Sequence, residues 1–135
     1  MNPETGLVFW TNAAHCTTPD GRAPSATEVK NCRQRVHRII YALDPKLILA
    51  FGSSACLSVL GQTVDTTRKS GTIMAASVPS PVDPKNVLSY PMLACPDIGA
   101  MARAGDDRLI RNKQGMAYQM LETLRFAYRI LENTP

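Results

Sequence analysis

Residues 46–61, KLILAFGSSACLSVLG, decide the fold. The apolar run 46–51 is typical of a strand that is buried on both faces, and Gly52 ends it. Residues 53–60 follow with a helical pattern that Gly61 closes. A buried strand that leads directly into a helix predicts a parallel sheet, and therefore an α/β domain.

The sequence before this unit predicts a strand and a helix. Ser25 and Glu28 make a capping-box pattern at the start of the helix. Apolar residues then recur at helical spacing until Asp44-Pro45 ends the pattern, and they are Val29, Cys32, Val36, Ile39, Ile40 and Leu43. Residues 7–11, LVFWT, are β-branched and aromatic and predict a strand, which a turn-rich loop follows.

The sequence after this unit predicts a long connection, a last strand and a final helix. Residues 62–89 are Thr-rich and then Pro-rich, so we expect a surface connection there with one short strand near 72–76. Residues 90–94 resume an apolar run that ends in Cys95-Pro96-Asp97, where a last strand would deliver side chains to a site. The predicted apolar face of the final helix consists of Met116, Met120, Leu121, Leu124, Tyr128 and Leu131.

Length and composition limit the class of protein. The 135 residues are expected to form a single domain, 1–135. With 44% apolar and 19% charged residues, the chain is not a disordered tail, a coiled coil or a collagen-like repeat. No apolar run is long enough to cross a membrane and no secretory signal is visible, so we expect a cytoplasmic protein.

Charge and cysteine content leave several partners open. A net charge of +4 permits a phosphate-rich partner without requiring one. The four cysteines include no Cys-x-x-Cys pair, which argues against a self-contained zinc site. Lys30, Arg33 and Arg38 on the first predicted helix are available for phosphates, although a solvated helix face is the more ordinary explanation.

Residues 10–32, WTNAAHCTTPDGRAPSATEVKNC, resemble the iron-sulfur uracil-DNA glycosylases, which are family 4 of the uracil-DNA glycosylase superfamily. In that family a strand ends in a Thr-Asn pair, and a cluster cysteine, an Arg-x-Pro loop, an acidic helix start and a second cysteine follow. The matching residues here are Thr11-Asn12, Cys16, Arg22-Ala23-Pro24, Glu28 and Cys32. The resemblance continues through residues 44–52 and Lys69-Ser70-Gly71.

The chain departs from the family at two places. The family opens with a Cys-x-x-Cys and a Gly-Glu-x-Pro-Gly segment on its first strand, and this chain begins after both. The resemblance therefore implies a three-layer αβα domain with a short, mostly parallel sheet that lacks the usual first strand. Because unpaired backbone beside residues 7–11 would be costly, we expect a dimer mate or a second polypeptide to complete the sheet, or the sheet to re-register. The family's late His-Pro-Ser motif falls on Cys95-Pro96-Asp97.

The resemblance implies roles for Asn12 and Cys95. The Asn12 amide would donate a hydrogen bond to uracil O4 and accept one from the N3 proton, a pairing that cytosine inverts. Without the resemblance, Asn12 is an ordinary turn residue. Cys95 stands where the family has its catalytic histidine, but a thiol is a weak donor and a thiolate would repel the leaving anion. The alternative is a buried structural cysteine, and neither His15 nor His37 matches the motif.

Phosphate contacts and half of a metal site are also implied by the resemblance. The phosphate-contacting segment would be Arg68, Lys69, Ser70 and Gly71, although a simple surface turn explains it equally well. Cys16 and Cys32 have the spacing of the family's second pair of ligands to a four-iron four-sulfur cluster. Two thiolates cannot close a cluster, so we expect one only if two further cysteines are supplied. Cys32 is otherwise a core residue, and zinc held by His15, Cys16 and Cys32 is a weaker alternative.

The function implied by the resemblance is hydrolysis of the N-glycosidic bond of uracil in DNA, as in base-excision repair. We expect this activity to need the missing N-terminal part. The alternative is a non-catalytic module that keeps the same scaffold for binding DNA or protein. A hydrolase with Cys95 as its nucleophile is a third interpretation, but no histidine-plus-carboxylate arrangement accompanies that cysteine.

Overall fold

The computed structural model describes residues 8–13, 25–98 and 115–133. Four helices and three strands lie in this part of the chain. In chain order they are α1 (Ala26–Leu43), β1 (Ile48–Phe51), α2 (Ser53–Leu60), α3 (Thr66–Lys69), β2 (Ile73–Pro79), β3 (Val87–Cys95) and α4 (Gly115–Glu132). The mixture of helices and strands confirms the predicted α/β class.

The three strands form one sheet in the order β1-β3-β2. β1 pairs with β3 in parallel, from Ile48 opposite Met92 to Phe51 opposite Cys95. β2 pairs with β3 in the antiparallel direction, from Ile73 opposite Leu93 to Pro79 opposite Val87. The central strand β3 is the last strand predicted from sequence, and it is longer than the predicted run 90–94.

Alternate residues of β3 point into two separate layers, because side chains on a strand alternate between the two faces of its sheet. Met92 and Ala94 lie in a core cluster with residues of α1 and α2. Leu93 and Cys95 lie in a second cluster with residues of α4. The domain therefore has the predicted three layers, with the sheet between α1 and α2 on one side and α4 on the other.

The unit around residues 25–61 forms as predicted. The Ser25 hydroxyl accepts a hydrogen bond from the Glu28 N–H at 3.2 Å and caps the N-terminus of α1. Asp44, with φ of +47°, ends that helix immediately before Pro45. Gly61, with φ of +81°, closes α2, a conformation that glycine adopts without a steric penalty.

The predicted strand 7–11 is not found. Residues 8–11 belong to no strand, and Leu7 lies outside the described residues. A strand is stabilised by pairing with a neighbour. Within the described residues β1 pairs only with β3, and residues 8–11 do not pair with its other edge. The Trp10 ring instead stacks on the Phe51 ring, with the ring centroids 5.9 Å apart.

The predicted connection 62–89 contains more regular structure than expected. It includes α3, the whole of β2 and the start of β3. The short strand expected near 72–76 extends to Pro79 and pairs with β3 along its length. The Pro-rich sequence is concentrated in the turn between the two strands, where the Ser80 N–H donates to the Asn86 carbonyl at 2.8 Å. The prolines thus shape a hairpin turn instead of marking a long loop.

The final helix forms, but it presents a different face from the predicted one. Met120, Thr123 and Ala127 are buried, whereas Leu121, Leu124 and Tyr128 are 36%, 40% and 49% exposed. The buried face includes two small residues, which allow the helix to approach the sheet closely. The Thr123 hydroxyl donates to the Gln119 carbonyl at 2.8 Å, so its burial leaves no unpaired donor. Met116, also in the predicted face, has no described side chain.

Candidate functional site

The carboxyl ends of the two parallel strands meet at one edge of the sheet. The Gly52 N–H, just after β1, donates to the Cys95 carbonyl at the end of β3 at 2.9 Å. Gly52 has φ of +88°, and a Cβ atom at this position would lie 3.4 Å from the Asp97 Cβ. A glycine is therefore needed for the chain to turn from β1 into α2 beneath Asp97. In α/β proteins this edge of the sheet is where ligands bind.

Cys95 is at this edge but does not reach solvent within the described part of the chain. Its side chain is fully buried, and its Sγ donates weakly to the Leu93 carbonyl at 3.7 Å. Burial raises the pKa of the Cys95 thiol to about 12, and the nearby Cys56 adds to the shift. The thiol is therefore neutral at pH 7. A neutral thiol does not repel the leaving uracil anion, but it also lacks the reactivity of a thiolate.

Asn12 follows the aromatic contact that holds the N-terminal segment to the sheet. The Trp10 ring is stacked on Phe51, which is the last residue of β1. Asn12 is two residues further on and is exposed, in a segment without regular structure. The Trp10 contact therefore places the segment beside the carboxyl end of β1, and Asn12 is accessible to a ligand.

The predicted phosphate-contacting segment is joined to the same edge. The Gly71 N–H donates to the Ala94 carbonyl at 3.0 Å, next to Cys95. The Ser70 hydroxyl is 2.9 Å from the Thr123 hydroxyl of α4. Because Thr123 gives its own proton to Gln119, Ser70 is the donor in this contact. The segment thus connects the end of β3 to α4.

A cavity of about 350 Å³ lies between this segment and α4. Arg68, Ser70 and Gly71 line one side. The other side is formed by Tyr118, Gln119, Glu122, Thr123 and Phe126. Three of the four residues in the predicted segment therefore share one cavity, and Lys69 is exposed outside it. Arg68 forms an exposed ion pair with Asp65 at 3.6 Å, an interaction of little energetic value that leaves the guanidinium available.

The structure describes only one of the three predicted metal ligands. Cys16 and His15 lie outside the described residues. Cys32 lies on α1 and is half-buried. Within the described residues no group of three or more His, Cys, Asp or Glu side chains is placed to hold a metal ion. Because Cys16 is not described, the cluster stays a prediction that requires Cys16, Cys32 and two further cysteines.

His37, which does not match the family's histidine motif, has a packing role. His37 is buried, and its Nε2 is 3.0 Å from the Val59 carbonyl of α2. Burial lowers the pKa of His37, and the positive charge of Arg33 lowers it further, against the opposing effect of the carbonyl contacts. His37 is therefore a neutral residue that joins α1 to α2, as expected for a helix-packing histidine.

Sequence reasoning missed the contributions of several residues at the carboxyl edge. Asp97 lies over Gly52; the sequence placed it in the segment 95–97 after the last strand but gave it no role of its own. For Gly52 the sequence predicts only a strand end. The contributions of Tyr118 and Thr123 from α4 could not be found, because they depend on how that helix is rotated.

The fold and the site together define a class of protein, an α/β domain with an open site at the carboxyl edge of a parallel strand pair. A family model described as the uracil DNA glycosylase superfamily matches residues 4–89. The chain belongs to this superfamily. The matched range includes Asn12, Cys16, Cys32 and residues 68–71, and it ends before Cys95. No curated protein matches the chain. Within the described residues no helix is long and apolar enough to span a membrane.

Proposed function

We propose that this protein binds uracil-containing DNA at the carboxyl edge of its sheet and hydrolyses the N-glycosidic bond of the flipped-out uracil. The observation that carries the proposal is that Gly71, in the segment 68–71 inside the matched superfamily range, is hydrogen-bonded to Ala94 near the end of β3. Trp10 brings the Asn12 segment to the same edge. Within the superfamily, the order of Thr11-Asn12, Cys16 and Cys32 favours the family-4 branch.

Each group at the edge has a task in such a reaction. Water attacks C1′ of the sugar, the bond from C1′ to N1 of uracil breaks, and the base leaves as an anion that takes up a proton. Asn12 would read the uracil edge, and Arg68 and Ser70 would hold a neighbouring phosphate. The Asp97 carboxylate lies at the edge where positive charge develops on the sugar, and it would stabilise that charge electrostatically.

The reaction also needs a donor that stabilises the leaving anion, and the described part of the chain does not place one at the position of Cys95. Cys95 is fully buried and neutral, so its side chain does not supply this donor. We therefore propose that hydrolysis requires groups from a further segment or a partner. The same observation supports the second candidate function, a non-catalytic module that binds DNA through this edge without cleaving it.

A strand from a dimer mate or a second polypeptide is the proposed source of the missing groups. β1 pairs only with β3 among the described strands, so its other edge is available for a further strand. Trp10, which covers part of this region, is 69% exposed. We expect light scattering of the purified full chain to show a dimer, and a monomer at all concentrations would favour a different polypeptide.

The test compares uracil binding with uracil release. The full chain is mixed with labelled single-stranded DNA containing one uracil, cytosine or thymine at the same position, and anisotropy and base release are measured. We expect a preference for uracil over cytosine of about tenfold, the scale of one inverted hydrogen-bond pair. Asn12→Ala should abolish this preference while sequence-independent binding is retained. Asn31→Ala, the same change at an exposed position of α1, is the control.

The outcomes separate the two candidate functions. Uracil release by the chain alone would show that the edge is catalytically complete. Preference without release would favour the binding module, or a requirement for the partner. If wild-type protein shows no preference for uracil, or if Asn12→Ala leaves the preference unaltered, the proposed base-reading role is wrong.

A further inference from the structure

A second cavity lies at the opposite end of the sheet from the candidate site. It has a volume of about 350 Å³ and lies between α1 and the turn that joins β2 to β3. Pro79, at the start of this turn, pairs with Val87, the first residue of β3, whereas the candidate site is beside Cys95, the last residue. The strand rises about 3.3 Å per residue, so roughly 26 Å separates the two regions.

One wall of this cavity is a basic face of α1. It consists of Lys30, Arg33, Gln34, His37 and Arg38. These positions are three or four residues apart along the helix and therefore lie on one side of it. Three of the five side chains are cations, and none of the residues that line the cavity is acidic. The wall is therefore electropositive, and the cavity that it forms with the proline-rich turn is open to solvent.

Arg33 is held in place by α2. Its Nε donates to the Ser58 carbonyl at 3.1 Å, and the side chain is only partly exposed. The guanidinium lies against Gly61, where an added Cβ would be 2.6 Å from Nη2. The two terminal nitrogens have no hydrogen-bond acceptor among the described residues. A cation that is already fixed loses little conformational entropy when it binds an anion.

The opposite wall is rigid and contributes one further donor. Pro79, Pro81 and Pro84 restrict its backbone, and Ser80 between them is 5% exposed. The Ser80 hydroxyl accepts hydrogen bonds from the N–H groups of Val82 and Asp83, at 3.2 and 3.3 Å. Its own proton has no acceptor within the described part of the chain, so it can be donated to a ligand.

The nearest acid on this wall does not neutralise the cavity. Asp83 belongs to the same turn but does not line the cavity. Its Oδ1 accepts a hydrogen bond from the Lys85 N–H at 3.1 Å, and the residue is exposed. The donors that remain for a ligand are the two exposed cations Lys30 and Arg38, the guanidinium of Arg33 and the hydroxyl of Ser80.

We propose that this cavity binds a phosphate group, carried either by a nucleic-acid strand or by a free mononucleotide. A phosphate presents several acceptor oxygens, which suit a fixed guanidinium fork together with the ammonium of Lys30 and the hydroxyl of Ser80. The volume is at the lower end of small-ligand pockets, and the proline rings offer an apolar surface for the attached nucleoside. The proposal goes beyond uracil recognition because it concerns a separate site and requires no uracil.

The test uses probes that contain no uracil. Affinities of the full chain for inorganic phosphate, thymidine 5′-monophosphate and a short oligothymidine are measured by calorimetry and anisotropy. The variant carries Lys30→Gln and Arg38→Gln, which spares Arg33 and its contacts with α2. The control carries Arg35→Gln and Arg125→Gln, which remove the same charge at exposed positions outside both cavities. Thermal melting verifies that both variants remain folded.

We expect the cavity variant to lose about tenfold in affinity for the bound probe and the control to lose less than about twofold. For the oligothymidine, the slope of log K against log salt should fall by about 0.7 for each phosphate that the variant no longer neutralises. Tight binding of the monophosphate would identify a free nucleotide as the ligand, and binding of the oligothymidine alone would identify a strand. Equal losses in the two variants, or no binding of any probe to wild-type protein, would overturn the proposal.

Discussion

The two faces of the sheet are covered in different ways. The face under α1 and α2 has a cluster of ten buried residues, whereas the α4 face has four within the described part of the chain. The first cluster joins α1 and α2, which flank β1 in sequence, to all three strands. The second depends on a helix that comes much later in the sequence. The sequence pattern of neighbouring elements therefore determines the face under α1 and α2. The other face depends on tertiary contacts between α4 and the sheet.

The largest expected effect tests whether the small buried cluster on the α4 face stabilises the fold as a hydrophobic core does. Leu93 is fully buried on this face, and Leu124 of α4 is 40% exposed. Leu93→Ala should lower the free energy of unfolding by about 2–5 kcal/mol, because it removes buried methyl groups and leaves a cavity. Leu124→Ala, the same chemical change, should alter it by less than about 0.5 kcal/mol. Urea unfolding followed by circular dichroism measures both values.

The comparison between these two leucines also tests the orientation of α4. The apolar pattern in the sequence places Leu124 near the centre of the buried face, whereas the structure places Thr123 and Ala127 there. A loss of several kcal/mol in Leu124→Ala would mean that the sequence pattern gives the correct rotation and that the observed packing is wrong.

A smaller effect is expected when the close approach of α4 is disturbed. Ala127 is 4% exposed and packs against the sheet in the α4 cluster. Ala127→Leu should cost about 1–3 kcal/mol, because additional methyl groups in a packed interface force the helix away from the sheet. Ala42→Leu, at an exposed position of α1, is the matched control and should be nearly neutral. Equal effects of the two substitutions would contradict close packing at Ala127.

The elements that sequence predicted correctly are those whose signals are local. The Ser25 cap, the left-handed Asp44 and Gly61, and the run ending at Gly52 each fix an element boundary through the chain's own chemistry. The predicted strand 7–11 does not form over its described residues, 8–11, for the opposite reason. Its residues have the composition of a strand, but pairing requires a neighbouring strand that local composition does not reveal.

The residues of the candidate site also divide into those predicted from sequence and those whose roles depend on tertiary packing. Residues 68–71 and Asn12 were predicted from a sequence resemblance, and the contacts of Gly71 and Trp10 bring their segments to the carboxyl edge. The sequence left open whether Cys95 is a buried structural residue, because its burial depends on α4 covering the end of β3. For the basic cavity, the sequence identified Lys30, Arg33 and Arg38 as available for phosphates, but it could not show that the proline-rich turn lies opposite them.

The smallest expected effect concerns the α1 and α2 face and its dependence on pH. Burial, with a contribution from Arg33, lowers the pKa of His37 below 6.5 in the folded protein. The unfolded chain therefore binds a proton more readily, so the stability due to neutral His37 is complete above pH 6.5. It is lost as the pH falls through the lower, folded pKa. Urea midpoints measured from pH 8 to pH 5 should fall more steeply in wild-type protein than in His37→Gln, which keeps an N–H donor for Val59 but does not titrate. Identical pH profiles would show that protonation of His37 contributes nothing to the acid sensitivity of this face.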